Sequence, residues 1–269
     1  MWTTLALAAV LTTAPAQADQ LILNNARGTY GVLGPERKDS KLLPGERYVI
    51  AFDIEGLKAA EDGEVSYSIG LEVTDSKGKV IYGTEPSPRK CRCTLGAARL
   101  PAFTFVEADQ IPAGEYSATV IVVDKTTKAT GKLTRKFEWL PPDFGIVQAH
   151  FSYDFNGNVN APPGGAPGQL IFLHFATVGF ERDGRTKQPN IAAEIRVFDE
   201  KGEPTLPKSL TGVIKDEVGA KDFLLPWNPE LSLTRAGKFT VEIKATDRVS
   251  KKVAKLTLPL SVVEQKASE

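Results

Sequence analysis

Histidine, cysteine and methionine are scarce in this chain of 269 residues, which holds two, two and one of them. So few His and Cys cannot build a Cys- or His-rich zinc framework. Charge of one sign is missing as well, since 33 Lys and Arg balance 33 Asp and Glu. Without a basic surplus the chain is a poor partner for nucleic acid, whose binding draws on counterion release by Lys and Arg. The balance holds in both halves: residues 19–140 carry 17 basic and 17 acidic side chains, and the remainder from 141 onward carries 16 of each. Long apolar runs are absent too. Trp2 to Leu11 is far short of the roughly 20 residues of a membrane-spanning helix. Helical periodicity is missing, and only Leu57-Lys58-Ala59-Ala60 reads as a single helical turn. What the chain does have is 42% apolar and 25% charged residues, with 23 Gly and 18 Pro. That suits a soluble, packed and turn-rich protein.

Residues 1–18 read as a secretory signal peptide. An Ala/Leu-rich stretch leads to Ala16-Gln17-Ala18, with small residues at the two positions signal peptidase reads, and Asp19 opens the mature chain. The segment departs from the usual pattern in having no Lys or Arg ahead of its apolar run. The expectation is a secreted or periplasmic protein with no transmembrane segment in its mature chain.

Behind this segment the sequence repeats itself. Gly114-Glu115-Tyr116, Asp124 and Lys132-Leu133-Thr134 return as Gly237-Lys238-Phe239, Asp247 and Lys255-Leu256-Thr257, 123 positions later. Pro44-Gly45-Glu46 through Phe52 returns as Pro167-Gly168-Gln169 through Phe175, and Gly56-Leu57 as Gly179-Phe180, at the same offset. Val73, Asp75, Lys77 and Gly78 match Val197, Asp199, Lys201 and Gly202 at offset 124. Blocks in the same order imply two diverged copies of one unit, spanning 19–140 and 143–264. Trp139-Leu140-Pro141-Pro142-Asp143 joins them, and its two prolines make the joint short and semi-rigid.

Each copy reads as strands. Tyr116, Ala118, Val120 and Val122 alternate with polar or outward residues, as do Phe239, Val241, Ile243 and Ala245. Val65 to Val73 and Leu256 to Val262 do the same, and a period of two marks a half-buried strand. Asp75, Asp124, Asp199 and Asp247 stand at strand ends, where Asp side chains bond nearby backbone N–H groups. About seven short strands in each 120-residue copy predict an all-β fold of two tandem sandwiches. Ala113-Gly114-Glu115-Tyr116, its alternating strand, Asp124 and the strand that follows resemble the closing hairpin of bacterial immunoglobulin-like and fibronectin type III-like domains. Ala236-Gly237-Lys238-Phe239 opens the same pattern in the second copy. The resemblance implies immunoglobulin-like or fibronectin type III-like β-sandwiches and no particular activity. Phe239 lacks the hydroxyl of a tyrosine corner.

Few residues offer chemistry. Cys91-Arg92-Cys93 is the most unusual local feature. In an exported chain it favours a local disulfide, with intermolecular pairing and thiol or metal chemistry as alternatives. Arg89, Lys90 and Arg92 are expected to favour the thiolate. His150, Ser152 and Asp154 share one face of a predicted strand, but same-face neighbours are too far apart for a triad. Asp154 to Asn160 has oxygen side chains at alternate positions and too few carboxylates for a calcium loop, so it reads as a turn. His174 reads as a solvated or intersheet side chain. Trp139, beside the linker, and Trp227, in a Pro-flanked loop, are the candidate binding residues, as packing or stacking aromatics. Basic clusters at Arg89–Arg92 and Arg248–Lys255 read as solvated strand edges.

These readings converge on an exported, non-catalytic interaction module with no cofactor and no metal. Its partner is expected to be a protein, or an envelope polysaccharide, met through sandwich loops or edges. The alternatives are a carbohydrate-binding module, a periplasmic chaperone, and a thiol-redox protein using Cys91 and Cys93.

Overall fold

The structure is a computed structural model that describes residues 20–96, 99–107 and 111–264. The expected signal segment, 1–18, lies outside the described residues. Among the described residues eighteen strands follow one another. The first eight are β1 (Ile22–Thr29), β2 (Lys41–Leu42), β3 (Arg47–Glu55), β4 (Glu64–Asp75), β5 (Val80–Arg92), β6 (Leu100–Glu107), β7 (Gly114–Asp124) and β8 (Thr130–Trp139). Next come β9 (Gly145–Ser152), β10 (Asn160–Ala161), β11 (Gly164–Gly165), β12 (Leu170–Val178) and β13 (Ile191–Phe198). The last five are β14 (Leu210–Ile214), β15 (Leu225–Trp227), β16 (Glu230–Ser232), β17 (Gly237–Asp247) and β18 (Val253–Val262). No helix occurs among the described residues.

The strands form two pairs of facing sheets. β1-β3-β6 faces β2-β8-β7-β4-β5, while β10-β9-β12-β15, with β16 also on β12, faces β11-β18-β17-β13-β14. The two pairs thus share one strand order, that of a β-sandwich in which hairpins alternate with crossovers between sheets. The period-two runs explain the packing. Tyr116, Ala118, Val120 and Val122 of β7 face Tyr48, Ile50, Phe52 and Ile54 of β3 across one core. Phe239, Val241 and Ile243 of β17 face Ile171, Leu173 and Phe175 of β12 across the other.

Local features recur at matching places. One extra residue bulges β1 between Asn24 and Arg27 and β9 between Val147 and His150. Asn25 (φ 50°) and Gln148 (φ 55°) occupy the left-handed region at these bulges, where non-glycine residues are uncommon. The buried Asp124 carboxylate accepts the N–H groups of Thr126 and Thr127 in its own turn (2.7 and 3.2 Å) and of distant Lys58 (2.8 Å). The buried Asp247 carboxylate likewise bonds Val249 N–H (2.9 Å) and distant Glu181 N–H (2.9 Å). These contacts correct the expected helical turn at Leu57–Ala60. Gly56 has φ of 87°, the Lys58 N–H is committed to Asp124, and residues 56–60 are irregular.

Tyr116 does form the corner bond, its hydroxyl donating to the Pro112 carbonyl at 2.7 Å. Phe239 has no hydroxyl, and there Arg235, four residues earlier, lies over the ring at 4.9 Å instead.

Candidate functional site

Cys91 is the penultimate residue of the long edge strand β5, and Cys93 follows its end. Cys91 and Cys93 are free thiols with sulfurs 3.9 Å apart. The expectation that neighbouring cations favour the thiolate is not met. Burial and the Cys93 thiol push the Cys91 pKa up. Arg92 is taken by Asp62 at 2.7 Å and Lys90 by Glu64 at 3.0 Å. The remaining cation, Arg89, lies over the Phe103 ring of the facing sheet at 5.3 Å and helps close that side of the first sandwich.

The two candidate tryptophans occupy different settings. Trp139 is 2% exposed, sits in the first core and meets Phe137 edge-on at 6.3 Å. Its indole is a core side chain with no surface to offer a partner. Trp227 is half-buried on β15, stacked on Phe175 at 6.0 Å with planes 7° apart, and its Nε1 donates to Thr177 Oγ1 at 3.3 Å. The ring also borders Gly212 of the opposite sheet, so it plugs the gap between sheets. A sugar platform requires an open ring face, which stacking on Phe175 takes up on one side.

The His150-Ser152-Asp154 set separates. Ser152 is fully buried and donates its hydroxyl proton to the Asp154 carbonyl (2.5 Å). The Asp154 carboxylate is engaged by the N–H groups of Asn156, Asn158 and Val159 at 3.0, 3.2 and 2.6 Å. These bonds hold its pKa down, that from Val159 most of all. This is the turn expected at 154–160, with its anionic oxygens occupied by the backbone.

The cross-strand partner of His150 is His174, which reading along the sequence did not bring together. The β9 bulge sets the two directly opposite in register, and their rings stack at 4.8 Å with planes 14° apart. Their hydrogen bonds fix the tautomers. His150 Nδ1 faces the Gln148 carbonyl at 2.9 Å; a carbonyl only accepts, so Nδ1 carries the proton and Nε2 the lone pair. Ser152 Oγ, its own proton spent on Asp154, accepts from His174 Nε2 at 2.7 Å. The His174 lone pair is therefore on Nδ1. Burial first, and His150 second, lower the His174 pKa and favour this neutral form. Beside the rings is a recess of about 270 Å³ bordered by Gln148, Phe155, Asn156, Trp227 and Asn228.

A second recess lies on the open side of the second sandwich. β14 and β16 are edges of facing sheets that do not pair. Between them runs a cleft of about 360 Å³ lined by Leu206, Leu210, Leu231, Leu233, Phe239 and Leu260, with Glu230 and Arg235 also on its wall. Leu206 and Leu210 are 52% and 39% exposed. No sequence motif marked this cleft, because its apolar residues come from separate strands and a loop.

No protein-family model and no curated protein matches the chain. Among solved structures, the chain is similar to the C-terminal domain of the Streptococcus agalactiae AgI/II polypeptide BspA (8% identity, 88% of this chain and 99% of that one, TM-score 0.28). It is also similar to the C-terminal domain of the Streptococcus pyogenes antigen I/II-family protein AspA (8% identity, 90% and 99%, TM-score 0.28). Red sea bream transglutaminase matches at 7% identity and TM-score 0.28 over 91% of this chain, which spans only 31% of that one.

Proposed function

We propose that this protein is an exported, non-catalytic binding module that takes up an extended segment of a protein partner at the open side of its second sandwich. The cleft between β14 and β16 carries this reading. Among the described residues strand β14 has one ladder partner, β13, so its outer edge presents backbone donors and acceptors to an added strand. Such edges accept an added strand, and pockets beside them select alternate side chains. The apolar lining suits a Leu-, Val- or Phe-sized side chain, and Leu206 and Leu210 at the mouth are the exposed apolar surface such a contact would cover. The equivalent side of the first sandwich is partly closed by Arg89 over Phe103, which favours the second as the binding half. The Ser152–His174 contact supports a structural role, since the hydroxyl is buried and its proton is used within the turn. The signal-like segment at residues 1–18 supports the reading of export, and the matching strand order of the two sheet pairs supports a duplicated unit.

Selection of displayed random peptides against the chain tests this reading. Enriched sequences should have apolar residues at alternate positions, and Leu210→Arg, on a solvent-facing edge, should abolish their binding while leaving the circular dichroism spectrum unchanged. Peptides that bind Leu210→Arg equally well, or no enrichment at all, would overturn the proposal. Hydrolytic turnover by the purified chain would overturn its non-catalytic part.

A further inference from the structure

We propose that His150 and His174 form a binding site for a divalent first-row transition-metal ion. Both histidines of the chain are in it, brought from two strands into direct cross-strand register. Their proton-bearing nitrogens are turned away and anchored, His150 Nδ1 on the Gln148 carbonyl and His174 Nε2 on Ser152 Oγ. This is the outer arrangement of metal-bound imidazoles, in which the second ring N–H is held by a carbonyl or another acceptor, fixing the tautomer and ring orientation.

The two lone-pair nitrogens lie close to one backbone position, Gly157, on rings whose planes are 14° apart. A β-carbon at Gly157 would lie 3.3 Å from His150 Nε2 and 3.5 Å from His174 Nδ1. Gly157 has no such atom, and its φ of 75° belongs to the left-handed region that favours glycine. Gly157 thus keeps a β-carbon from crowding both nitrogens, and His150 and His174 line the recess together with Asn156 and Asn228. The stacked rings hold their in-plane lone pairs side by side, so a shared ion requires one ring to tilt out of the stack, with water in the remaining positions. Imidazole nitrogen suits Zn(II), Ni(II) and Cu(II), with Cu(II) the tightest for a given site. Reading along the chain gives no means of pairing residues 150 and 174, which only the strand register brings together.

Cu(II) added in substoichiometric steps to the chain, made without a polyhistidine tag and with Cys91→Ser and Cys93→Ser to remove competing thiols, is the test. With two histidines, the imidazole C–H proton signals are few enough to follow individually. Paramagnetic broadening should strike both histidines first, and the Cu(II) electron paramagnetic resonance spectrum should show coupling to two nitrogens. His150→Phe, which keeps a ring against His174, should weaken binding by roughly tenfold or more, since it leaves a single ligand without the chelate's effective concentration. Gly157→Ala should weaken it too by filling the cradle. Broadening that spares the histidines, single-nitrogen coupling, or affinity unchanged in His150→Phe would overturn the site.

Discussion

Glu46 and Gln148, 102 positions apart, meet where the two sheet pairs join: Glu46 Oε1 accepts the backbone N–H of Gln148 at 2.8 Å. Gln148 is the bulge residue with φ of 55°, and its side chain returns to the Gly45 carbonyl at 2.7 Å. The other oxygen of Glu46 holds Arg37 at 2.8 Å, with both side chains under 10% exposed (7% and 4%). Arg37 in turn lies over the Tyr30 ring at 4.3 Å. Leu43 packs on Val147, Ala176 and Val178 beside them. One carboxylate thus secures both the left-handed backbone of β9 and the segment that follows β1.

Removing that carboxylate is expected to be severe. Glu46→Ala leaves the Arg37 charge buried without its partner, a change that costs about 3–5 kcal/mol. Glu46→Gln keeps an acceptor for the Gln148 N–H and is expected to lose less. The double variant Glu46→Leu with Arg37→Met removes both charges and should recover part of the loss. Urea unfolding of the three variants checks the order. Equal midpoints for Glu46→Ala and the parent would mean the ion pair contributes nothing.

Much of this architecture can be read from residue patterns, and the junction shows where reading stops. Val65 to Val73 and Tyr116 to Val122 alternate because each strand has one wet and one dry face, a local property. Asp75 and Asp199 announce their turns equally locally, each accepting two backbone N–H groups close by in sequence. Glu46 and Gln169 occupy the same place in the repeat yet act differently. Gln169 Oε1 caps its own turn at Ala166 N–H (2.9 Å), whereas Glu46 reaches the other sheet pair. The His150–His174 pair was equally hidden, because a one-residue bulge sets the register between β9 and β12. Leu57–Ala60 failed as a helical turn because a carboxylate 66 positions away claims its Lys58 N–H. Long-range partners decide these places, and a period cannot name them.

The stability supplied by Asp124 is expected to depend on pH. Burial alone would raise its pKa, but the N–H donors of Lys58, Thr126 and Thr127 outweigh that and bring it below the usual value. A carboxylate lowered on folding contributes its stability above the unfolded value, about 3.9, and loses it as pH falls through the lower folded value. Asp124→Asn removes this charge and keeps an acceptor. The variant should be less stable at pH 7, and the gap should narrow as pH falls below about 4. Urea midpoints across that range measure it, and a gap independent of pH would contradict the assignment.

The corner bond of Tyr116 gives a smaller, cleaner change. Tyr116→Phe deletes the hydroxyl that donates to the Pro112 carbonyl and leaves the ring stacked on Phe137 at 5.7 Å. One neutral hydrogen bond is worth about 0.5–1.5 kcal/mol net. A loss in that range is expected from denaturant unfolding, with an unchanged slope because the surface buried does not change. The second sandwich already has Phe239 at this place, with Arg235 over its ring, so Arg235→Ala should be the change felt there.

Cys91 is expected to be a slow thiol when reduced. The thiolate is the nucleophile, and burial together with the Cys93 thiol keeps the Cys91 pKa above its ordinary value of 9.0. Alkylation by iodoacetamide should therefore be slow at pH 7 and still rising past pH 9. Arg92 would lower that value if it were free, but Asp62 holds its guanidinium at 2.7 Å. Asp62→Ala releases Arg92 and should speed alkylation near neutral pH, whereas Asp62→Ala combined with Arg92→Ala should return it to the parent rate. Peptide mapping of the alkylated chain follows each cysteine separately. A fast reaction of Cys91 at pH 7 in the parent chain would show that burial does not govern it. Failure to react until reductant is added would show that the sulfurs, 3.9 Å apart here, had closed into a bond.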